Sequence, residues 1–376
     1  MKRFQLIINI LSPVHIGCGT DYDPTSYVID ADEGLLYGFN VTDFAETLNP
    51  GEHQNISEIS DLRGRQALGN MRSFIHKHKD RIKPLANHRV PVARGFSREY
   101  RNVVAGTGSG RPYSQLEVAR TFFNPISNEP IIPGSSIKGA IRTAVLSHLN
   151  DGNPSPDKKH YASDLLGGTF SEDPFRLVKI QDANHKPKED GNLQKVVYAV
   201  NKYRTEDGEL LSGRGIATCL EVIQHQQANG CSFVSTLTFP SLGNVSGKVP
   251  DNDKRWGFGG LASMCNEFYR PKLEKELDIL KMHNGKWVRS IRLQLSTDQV
   301  AGRLSRNTAF ILRVGHHSGA ECVTMDGARR IMIRRGRGQK SFEKEPTTKW
   351  FATDDNEGSV GLLPFGWLLV IVTKAQ

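Results

Sequence analysis

The sequence PGSSIKGAIRTAVLSHL at residues 133–149 is the stretch that decides the fold. Between Ile137 and Val145 the apolar residues recur at spacings of three and four, which is the period of an amphipathic helix. Pro133 and the serines after it favour a helix start, because a serine side chain can cap the first backbone N–H groups. A helix with one apolar stripe needs a sheet or another helix to cover it.

Predicted strands lie on both sides of this helix in the sequence. Phe4–Leu11 alternates apolar and polar residues, as a strand with one buried face does. Gly366–Thr373 is almost wholly apolar, which predicts a strand buried on both faces. A second long helix is expected from Trp256 to about Met282, with a break near Pro271. Strands and helices without regular alternation predict the α+β class.

Composition limits the classes of protein that remain. The chain has 376 residues and 49 Lys plus Arg against 40 acids, and the resulting charge of +9 favours a polyanionic partner. It has no run of 18 apolar residues, so we expect no membrane span. The N-terminal segment has the alternation of a strand, so we expect no signal peptide. Five scattered cysteines without a C-x-x-C pair predict free thiols in a reducing cytoplasm and no zinc site.

The helix start is the first candidate site. Gly134 lets a ligand approach the backbone closely, Ser135 and Ser136 offer hydroxyl donors, and Lys138 and Arg142 add positive charge. Because a helix N-terminus also presents free N–H groups, this combination predicts a phosphate-binding site. The alternative is an ordinary capped helix whose cations face solvent. The spacing is not that of a P-loop.

Two glycine-containing loops that follow predicted strands form the second candidate site. Their candidate residues are His15, Gly17 and Gly19 in the first loop and Arg313, Gly315, His316 and Gly319 in the second. We expect the glycines at both ends of the second loop to let its backbone contact a polyanion and Arg313 to pair with a phosphate, whereas a single His in the first loop is typical of a structural or an RNA-contacting residue. The alternative is a pair of ordinary turns. Adjacent histidines at 316 and 317 point in different directions on most backbones, so no metal is expected there.

The first loop also permits a catalytic interpretation. Asp21 and Asp23 could hold Mg²⁺ for phosphodiester cleavage, and His15 could serve as a general base. The alternative for Asp23 is a turn, because Asp followed by Pro24 favours one.

Two basic segments contain aromatic residues. Residues 61–101 hold eleven Lys/Arg and three acids, and residues 329–349 form a second basic run with Phe342 inside it and Trp350 next to it. Cations and ring faces together are typical of single-stranded RNA binding, and a solvated basic surface is the alternative. A hairpin around Lys195–Tyr203 is a candidate wedge between bases.

Five motifs in order carry a family resemblance: Leu11–Gly19, Ile132–Ala144, Asp173–Arg176, Leu312–Gly319 and Pro364–Trp367. Together they resemble the RAMP superfamily proteins of type III CRISPR effectors over nearly the whole chain. The order and length are most similar to the type III-A (Csm) subunit that caps the end holding the 3′ part of the CRISPR RNA.

The resemblance implies two ferredoxin-like (RRM-like) modules with loop and hairpin insertions. We place them at residues 1–172, with a basic helical insertion, and at residues 173–376. It also implies partners: CRISPR RNA, the repeating RAMP backbone subunit, the small helical subunit and host nucleases that mature the RNA. Neither a cofactor nor a metal nor a membrane is implied. The helix start would line the RNA path, with both glycine loops beside it.

The sequence therefore predicts a non-catalytic RNA-binding and assembly subunit of a cytoplasmic antiviral ribonucleoprotein. A RAMP endoribonuclease that uses Asp21 and Asp23 with Mg²⁺, or His15 as base, is the alternative function. A free-standing RNA-binding module is the third.

Overall fold

The structure is a computed structural model of the chain. It describes residues 1–105, 116–154, 160–185, 192–205, 207–213, 215–225, 232–245, 248–251, 255–334, 340–356, 358 and 360–374. Cys231 lies outside these ranges, and the other four cysteines are unpaired. No helix within these ranges combines the length and the apolar character that crossing a bilayer requires.

The strands, numbered along the chain, are β1 Lys2–Ile10, β2 Gly17–Asp21, β3 Tyr27–Asp30, β4 Leu35–Phe39, β5 Ala86–Pro91, β6 Val118–Thr121, β7 Ile131–Ile132, β8 Lys179–Ile180, β9 Ala183–His185, β10 Gln194–Arg204, β11 Leu210–Ser212, β12 Thr218–Ile223, β13 Ser232–Phe239, β14 Ala309–Arg313, β15 Ile331–Arg334, β16 Lys340–Glu343, β17 Thr348–Thr353, β18 Leu363–Pro364 and β19 Trp367–Lys374.

The helices are α1 Val41–Ala45, α2 Pro50–Asp61, α3 Arg65–Lys77, α4 Lys79–Ile82, α5 Arg94–Val104, α6 Gly134–Asn150, α7 Tyr161–Asp164, α8 Phe258–Leu280, α9 Gly285–Ser296, α10 Asp298–Ser305 and α11 Ala320–Val323. The predicted helix at residue 134 is α6. Helix α8 continues through Pro271, so the expected break is wrong. Its apolar residues on both sides of the proline, including Tyr269 and Leu273, are buried, and this packing outweighs one lost backbone hydrogen bond.

The first large sheet has the strand order β14-β19-β1-β13-β9-β7, with β8 also paired to β13. Strand β1 is antiparallel to both β13 and β19. The order β19-β1-β13-β9 is the 4-1-3-2 arrangement of a βαββαβ ferredoxin-like fold, in which α6 and α8 supply the two helices. Leu6 and Ile8 are fully buried, and the Tyr269 hydroxyl of α8 donates a 3.0 Å hydrogen bond to the Ala140 carbonyl of α6.

The second large sheet has the order β18-β17-β10-β12-β6-β2, and β11 pairs with β10. Strand β2 is therefore at its edge. Strand β10 lies inside this sheet and is buried over most of its length, so the proposed wedge at Lys195–Tyr203 is wrong for its central part. Tyr203 at its end is exposed.

A small subdomain is inserted between β2 and β6. Strands β3, β4 and β5 form its antiparallel sheet, and helices α1 to α4 belong to the same segment. Phe39, Phe44, Phe74 and Ile82 are members of its separate apolar core. The basic stretch at residues 61–101 lies within this segment of the chain.

The α+β prediction is confirmed. The division at residue 172 does not separate the sheets, because each large sheet takes strands from both sides of it: β1 pairs with β13 and β19, and β6 pairs with β12. The physical reason is that the backbone N–H and C=O groups on both edges of β1 are paired by strands from the second half of the chain.

Candidate nucleic-acid interface

The two glycine-containing loops come together in the structure. The backbone N–H of His316 donates a 2.8 Å hydrogen bond to the carbonyl oxygen of His15. Gly315 has φ +85°, and a Cβ there would lie 2.3 Å from the same oxygen. Only glycine fits this crossing, because any side chain would clash with the first loop. The sequence placed both loops beside one ligand, and the structure shows that they are in direct contact.

The histidines at this crossing form a row of rings. Their centroids are 6.1 Å apart for His15 and His316, 4.0 Å for His316 and His317, and 4.5 Å for His317 and Trp350. His317 is stacked on Trp350 at an interplanar angle of 17°. Burial lowers the pKa of His317 to about 3. Burial also lowers the pKa of His15 below its ordinary value. These two rings are therefore neutral at pH 7 and add no positive charge to the site.

A buried carboxylate lies beneath the first loop. Glu221 of β12 accepts hydrogen bonds from the Tyr22 hydroxyl at 2.5 Å and from the Thr121 backbone N–H at 3.1 Å. The Nδ1 of His15 lies 2.7 Å from the carbonyl oxygen of Glu221, so Nδ1 carries the proton and donates it. Burial raises the pKa of Glu221. These bonds fix the loop and β2 to β6 and β12.

A cavity of about 780 Å³ lies beside the loops on the second sheet. Its lining includes Asp21, His316 and Lys202, together with the carboxylates of Glu99 and Glu117. Lys202 is almost fully buried, and burial lowers its pKa. The carboxylates do not favour a phosphate inside this cavity. Gly17 and Gly19 are exposed and do not line the cavity, and we use the name rim for the exposed surface at Gly17, Gly19 and His316, of which only His316 lines the cavity.

The helix start is folded against its own chain. Gly134 donates its backbone N–H to the Asp182 carboxylate at 2.7 Å, and a Cβ there would lie 2.3 Å from the Ile180 carbonyl. The position that the sequence assigns to a phosphate is therefore occupied by a carboxylate of the chain. Ser135 is exposed and Ser136 is half-buried.

The two cations after the helix start also have partners in the chain. Lys138 donates from Nζ to the Phe175 carbonyl at 2.8 Å, and Arg142 pairs with the Asp173 carboxylate at 2.6 Å. Burial lowers the pKa of Lys138. These contacts fix α6 to the segment that contains Asp173 and Phe175. They do not favour the predicted phosphate contacts of Lys138 and Arg142.

Arg313 is buried, which corrects its predicted role. Its Nε donates to the Phe365 carbonyl at 2.7 Å, and its Nη1 lies 3.1 Å from the Glu276 carboxylate. Although burial opposes the charged form, the carboxylates of Glu276 and Glu321 raise the pKa of Arg313. The buried guanidinium therefore fixes the end of β14, immediately before the second loop, through Phe365 and Glu276. It does not reach a phosphate at the surface.

Asp21 and Asp23 have different surroundings: Asp23 belongs to a turn, and Asp21 lines the cavity. Asp23 accepts hydrogen bonds from the backbone N–H and the hydroxyl of Thr25, at 2.7 and 2.6 Å. This is the turn that the alternative interpretation predicts. Asp21 is exposed and lines the cavity. In the part of the chain that the structure describes, no group of three or more His, Cys, Asp or Glu residues could hold a metal ion.

Sequence reasoning missed two parts of this site. The burial of Glu221 could not be predicted, because a single acid in a strand is expected to face solvent. Its partners, Tyr22 and Thr121, are distant in sequence. The His317–Trp350 stack joins residues 33 positions apart. In the sequence, Trp350 is only a neighbour of the second basic run.

Comparison with known proteins places the chain in a family. The model of the RAMP superfamily matches residues 7–290. A chain of a cryo-EM structure of a Csm–crRNA–target RNA ternary complex from a type III-A CRISPR-Cas system has a similar fold, with TM-score 0.55, 15% identity and coverage of 98% of this chain and 100% of that one. The crystal structure of T. onnurineus Csm5 gives TM-score 0.54 and 15% identity, with coverage of 96% and 99%. A search of curated proteins found no match. With three quarters of its length matched by the family model, the chain belongs to the RAMP superfamily.

Proposed function

We propose that this chain is an RNA-binding assembly subunit of a type III-A CRISPR-Cas (Csm) effector. In this proposal it caps the end of the complex that holds the 3′ part of the CRISPR RNA. The observation that carries it is the end-to-end likeness in fold to a chain of a Csm–crRNA–target RNA complex, which covers 98% of this chain and 100% of the other. The partners are CRISPR RNA, the RAMP backbone subunit and the small helical subunit.

The rim at the two glycine loops is where we place the guide RNA. Strand β2 is at the edge of its sheet, and among the described residues no strand pairs with its outer side. Its exposed glycines, Gly17 and Gly19, have no side chain that would keep a phosphate away from the backbone of this edge strand. His316 is exposed beside them. Contacts of this kind read no bases, which suits a guide whose sequence varies.

Two further parts of the proposal rest on the family resemblance. The first is that the chain supports maturation of the CRISPR RNA by recruiting host nucleases. The second is that it acts in the cytoplasm. The first part is tested by purifying the complex with and without the chain. A nuclease activity should co-purify with the complex that contains the chain and should be lost when the chain is omitted.

One gel tests the central proposal. End-labelled single-stranded RNA of about 40 nucleotides is incubated with the chain, alone and with the backbone subunit, in Mg²⁺ and in EDTA. We expect intact RNA, a weak shift with the chain alone and a stronger shift with the partner. Tight binding by a chain that does not associate with the partner would instead support a free-standing RNA-binding module.

A pair of charge-matched variants tests the rim. Gly17→Glu places a carboxylate where a Cβ makes only an ordinary 3.5 Å contact with His15. Repulsion of roughly 1 kcal/mol or more should weaken RNA binding about fivefold. Gly243→Glu is the control, because its Cβ would meet nothing within 4 Å and the change in net charge is the same. Equal losses in both variants would remove the rim from the RNA path.

An endoribonuclease is the second candidate function, and the histidine pair favours it. His15 has its proton on Nδ1, so Nε2 is free of a proton, and the exposed His316 ring lies 6.1 Å away. A neutral base beside an exposed imidazole is a pair that can move protons at a 2′-hydroxyl and a leaving oxygen. RNA fragments that persist in EDTA and vanish in His15→Ala would establish this function. Fragments that need Mg²⁺ and vanish in Asp21→Ala would point to the acidic residues.

A further inference from the structure

Strands β15 and β16 form a hairpin that belongs to neither large sheet. Among the strands that the structure describes, these two pair only with each other, from Ile331 opposite Glu343 to Arg334 opposite Lys340. A two-stranded hairpin in water is marginally stable by itself, so one that is not extended by a further strand needs another anchor.

The anchor is at the base of the hairpin. Arg329 donates to the Lys344 carbonyl at 3.1 Å, to the Glu321 carbonyl at 3.1 Å and to the Asp326 carboxylate at 2.5 Å. These bonds join both sides of the hairpin base to the segment around α11. The base is fixed, and the strands beyond it present their side chains.

The hairpin carries an exposed aromatic platform. Met332 and Phe342 lie directly opposite each other in the register and so share a face. They are 43% and 56% exposed. The guanidinium carbon of Arg330 lies 4.9 Å from the centre of the Phe342 ring, and Arg330 is exposed. A ring face next to a cation is the arrangement that stacks a nucleobase and pairs with its phosphate.

The surroundings decide between RNA and a protein as the occupant. Residues 329–344 contain seven Lys or Arg and a single acid. Docking of an apolar protein surface would have to desolvate this concentration of like charge, whereas a nucleic acid strand neutralises it and releases counterions. The platform consists of one aromatic ring and one methionine. Its apolar area matches that of a single base and is much smaller than a protein–protein interface.

We propose that the β15–β16 hairpin is a second RNA contact, where a single-stranded base stacks on Phe342 and Arg330 pairs with the adjacent phosphate. This inference rests on the proposed function, because it requires that the chain binds RNA. It is separate from the rim at Gly17, which contacts the phosphate backbone without stacking.

The chain provides a matched control for Phe342. Phe170 is 83% exposed and also lies under a guanidinium, that of Arg176, at 5.5 Å. Its neighbours in sequence include three acids, Asp164, Glu172 and Asp173, instead of a run of cations. Truncation of Phe170 therefore removes an exposed ring, under a guanidinium, from a segment that lacks the run of cations around Phe342.

The experiment measures binding of a fluorescein-labelled single-stranded RNA of about 20 nucleotides by anisotropy at low salt, where phosphate contacts are strongest. We expect Phe342→Ala and Phe342→Leu each to weaken binding about fivefold or more, Phe342→Trp to retain it and Phe170→Ala to leave it unchanged. The leucine variant separates stacking from general apolar contact. Melting temperatures of all variants should match the parent, because these side chains are exposed.

The other outcomes are also decisive. If Phe342→Ala leaves RNA affinity unchanged while Gly17→Glu reduces it, the hairpin inference fails and the proposed function stands. If Phe342→Leu binds like the parent, the platform is an apolar contact and the inference fails. If the parent chain, alone and with its partner subunit, binds no RNA at low salt, both fail. Loss of a partner subunit from the reconstituted complex in Phe342→Ala, with RNA binding intact, would make the hairpin a protein-docking element instead.

Discussion

The start of α6 and the β15–β16 hairpin are both basic segments, but their cations face different surroundings. Arg142 at the helix pairs with Asp173 at 2.6 Å, and the first helical N–H is taken by Asp182. Arg330 on the hairpin lies over an exposed ring. A cation in a motif is thus a candidate RNA contact only where no carboxylate or carbonyl group of the chain already pairs with it. The following variants test this contrast between internal and outward-facing cations.

The largest loss of unfolding free energy is expected for a variant that removes a fully buried cation. Arg313→Ala leaves the buried Glu276 carboxylate without its main partner, since the remaining cation, Lys349, is 3.4 Å away. Loss of one member of a buried ion pair costs about 3–5 kcal/mol, which urea unfolding measures. Lys275→Ala, which breaks an exposed pair with Glu345, should cost less than about 1 kcal/mol. Similar costs for both would show that the Arg313 network is not a buried one.

A smaller loss is expected at the helix start. Gly134→Ala forces a Cβ to within 2.3 Å of the Ile180 carbonyl, so the helix or strand β8 must shift, at a cost of about 1–3 kcal/mol. Gly139→Ala, in the same helix and with nothing within 4 Å of the new Cβ, should stabilise by about 0.5–1 kcal/mol. Thermal unfolding of the two variants gives opposite shifts. A shift of the same sign in both would contradict the close packing of the helix start.

The histidine row predicts a dependence of stability on pH. Burial lowers the pKa of His317 to about 3 in the folded chain, whereas the unfolded chain keeps an ordinary value near 6.5. Between these values the unfolded state binds a proton that the folded state does not, so stability is full above about pH 6.5 and falls as the pH is lowered. His317→Phe keeps a ring on Trp350 and should reduce the slope of the unfolding free energy between pH 6.5 and 5. An unchanged slope would mean that His317 is accessible to protons in the folded chain.

The smallest effect is expected for the predicted phosphate contacts. Lys138→Ala with Arg142→Ala removes two cations that already have partners at Phe175 and Asp173. RNA affinity should fall less than about twofold, and the salt dependence of binding should keep its slope, because neither cation releases counterions from RNA. A fall of the slope by about 0.7 per cation would restore the helix start as a phosphate site. Arg330→Ala, measured alongside, is expected to lower the slope.

Local features of this chain could be predicted from its sequence. The alternation of Phe4–Leu11 predicted β1, and the apolar spacing after residue 134 predicted α6. The α+β class followed from the order of these elements. Each of these depends on residues that are close in sequence, where periodicity and turn chemistry act.

What the sequence could not supply is which distant groups meet. The acids that occupy the helix start, Asp173 and Asp182, follow it by about 40 residues, and no spacing rule connects them to Gly134. The burial of Arg313 depends on Glu276 in a different helix. The contact between the two glycine loops joins residues 15 and 316. Tertiary packing decides whether a polar side chain in a motif faces outward, and a pattern in one segment does not contain that information.

The position of β1 has a consequence for how the chain folds. Phe4 lies opposite Leu237 on one side and opposite Lys374 on the other. On the ribosome, the first strand therefore has no partner until some 230 residues have followed it, and its second edge stays open until nearly the whole chain has been made. Such pairings fold slowly and leave an apolar strand available to other chains in the meantime. Production of this chain should accordingly depend on a chaperone that covers β1, and slower synthesis at low temperature should raise the soluble fraction.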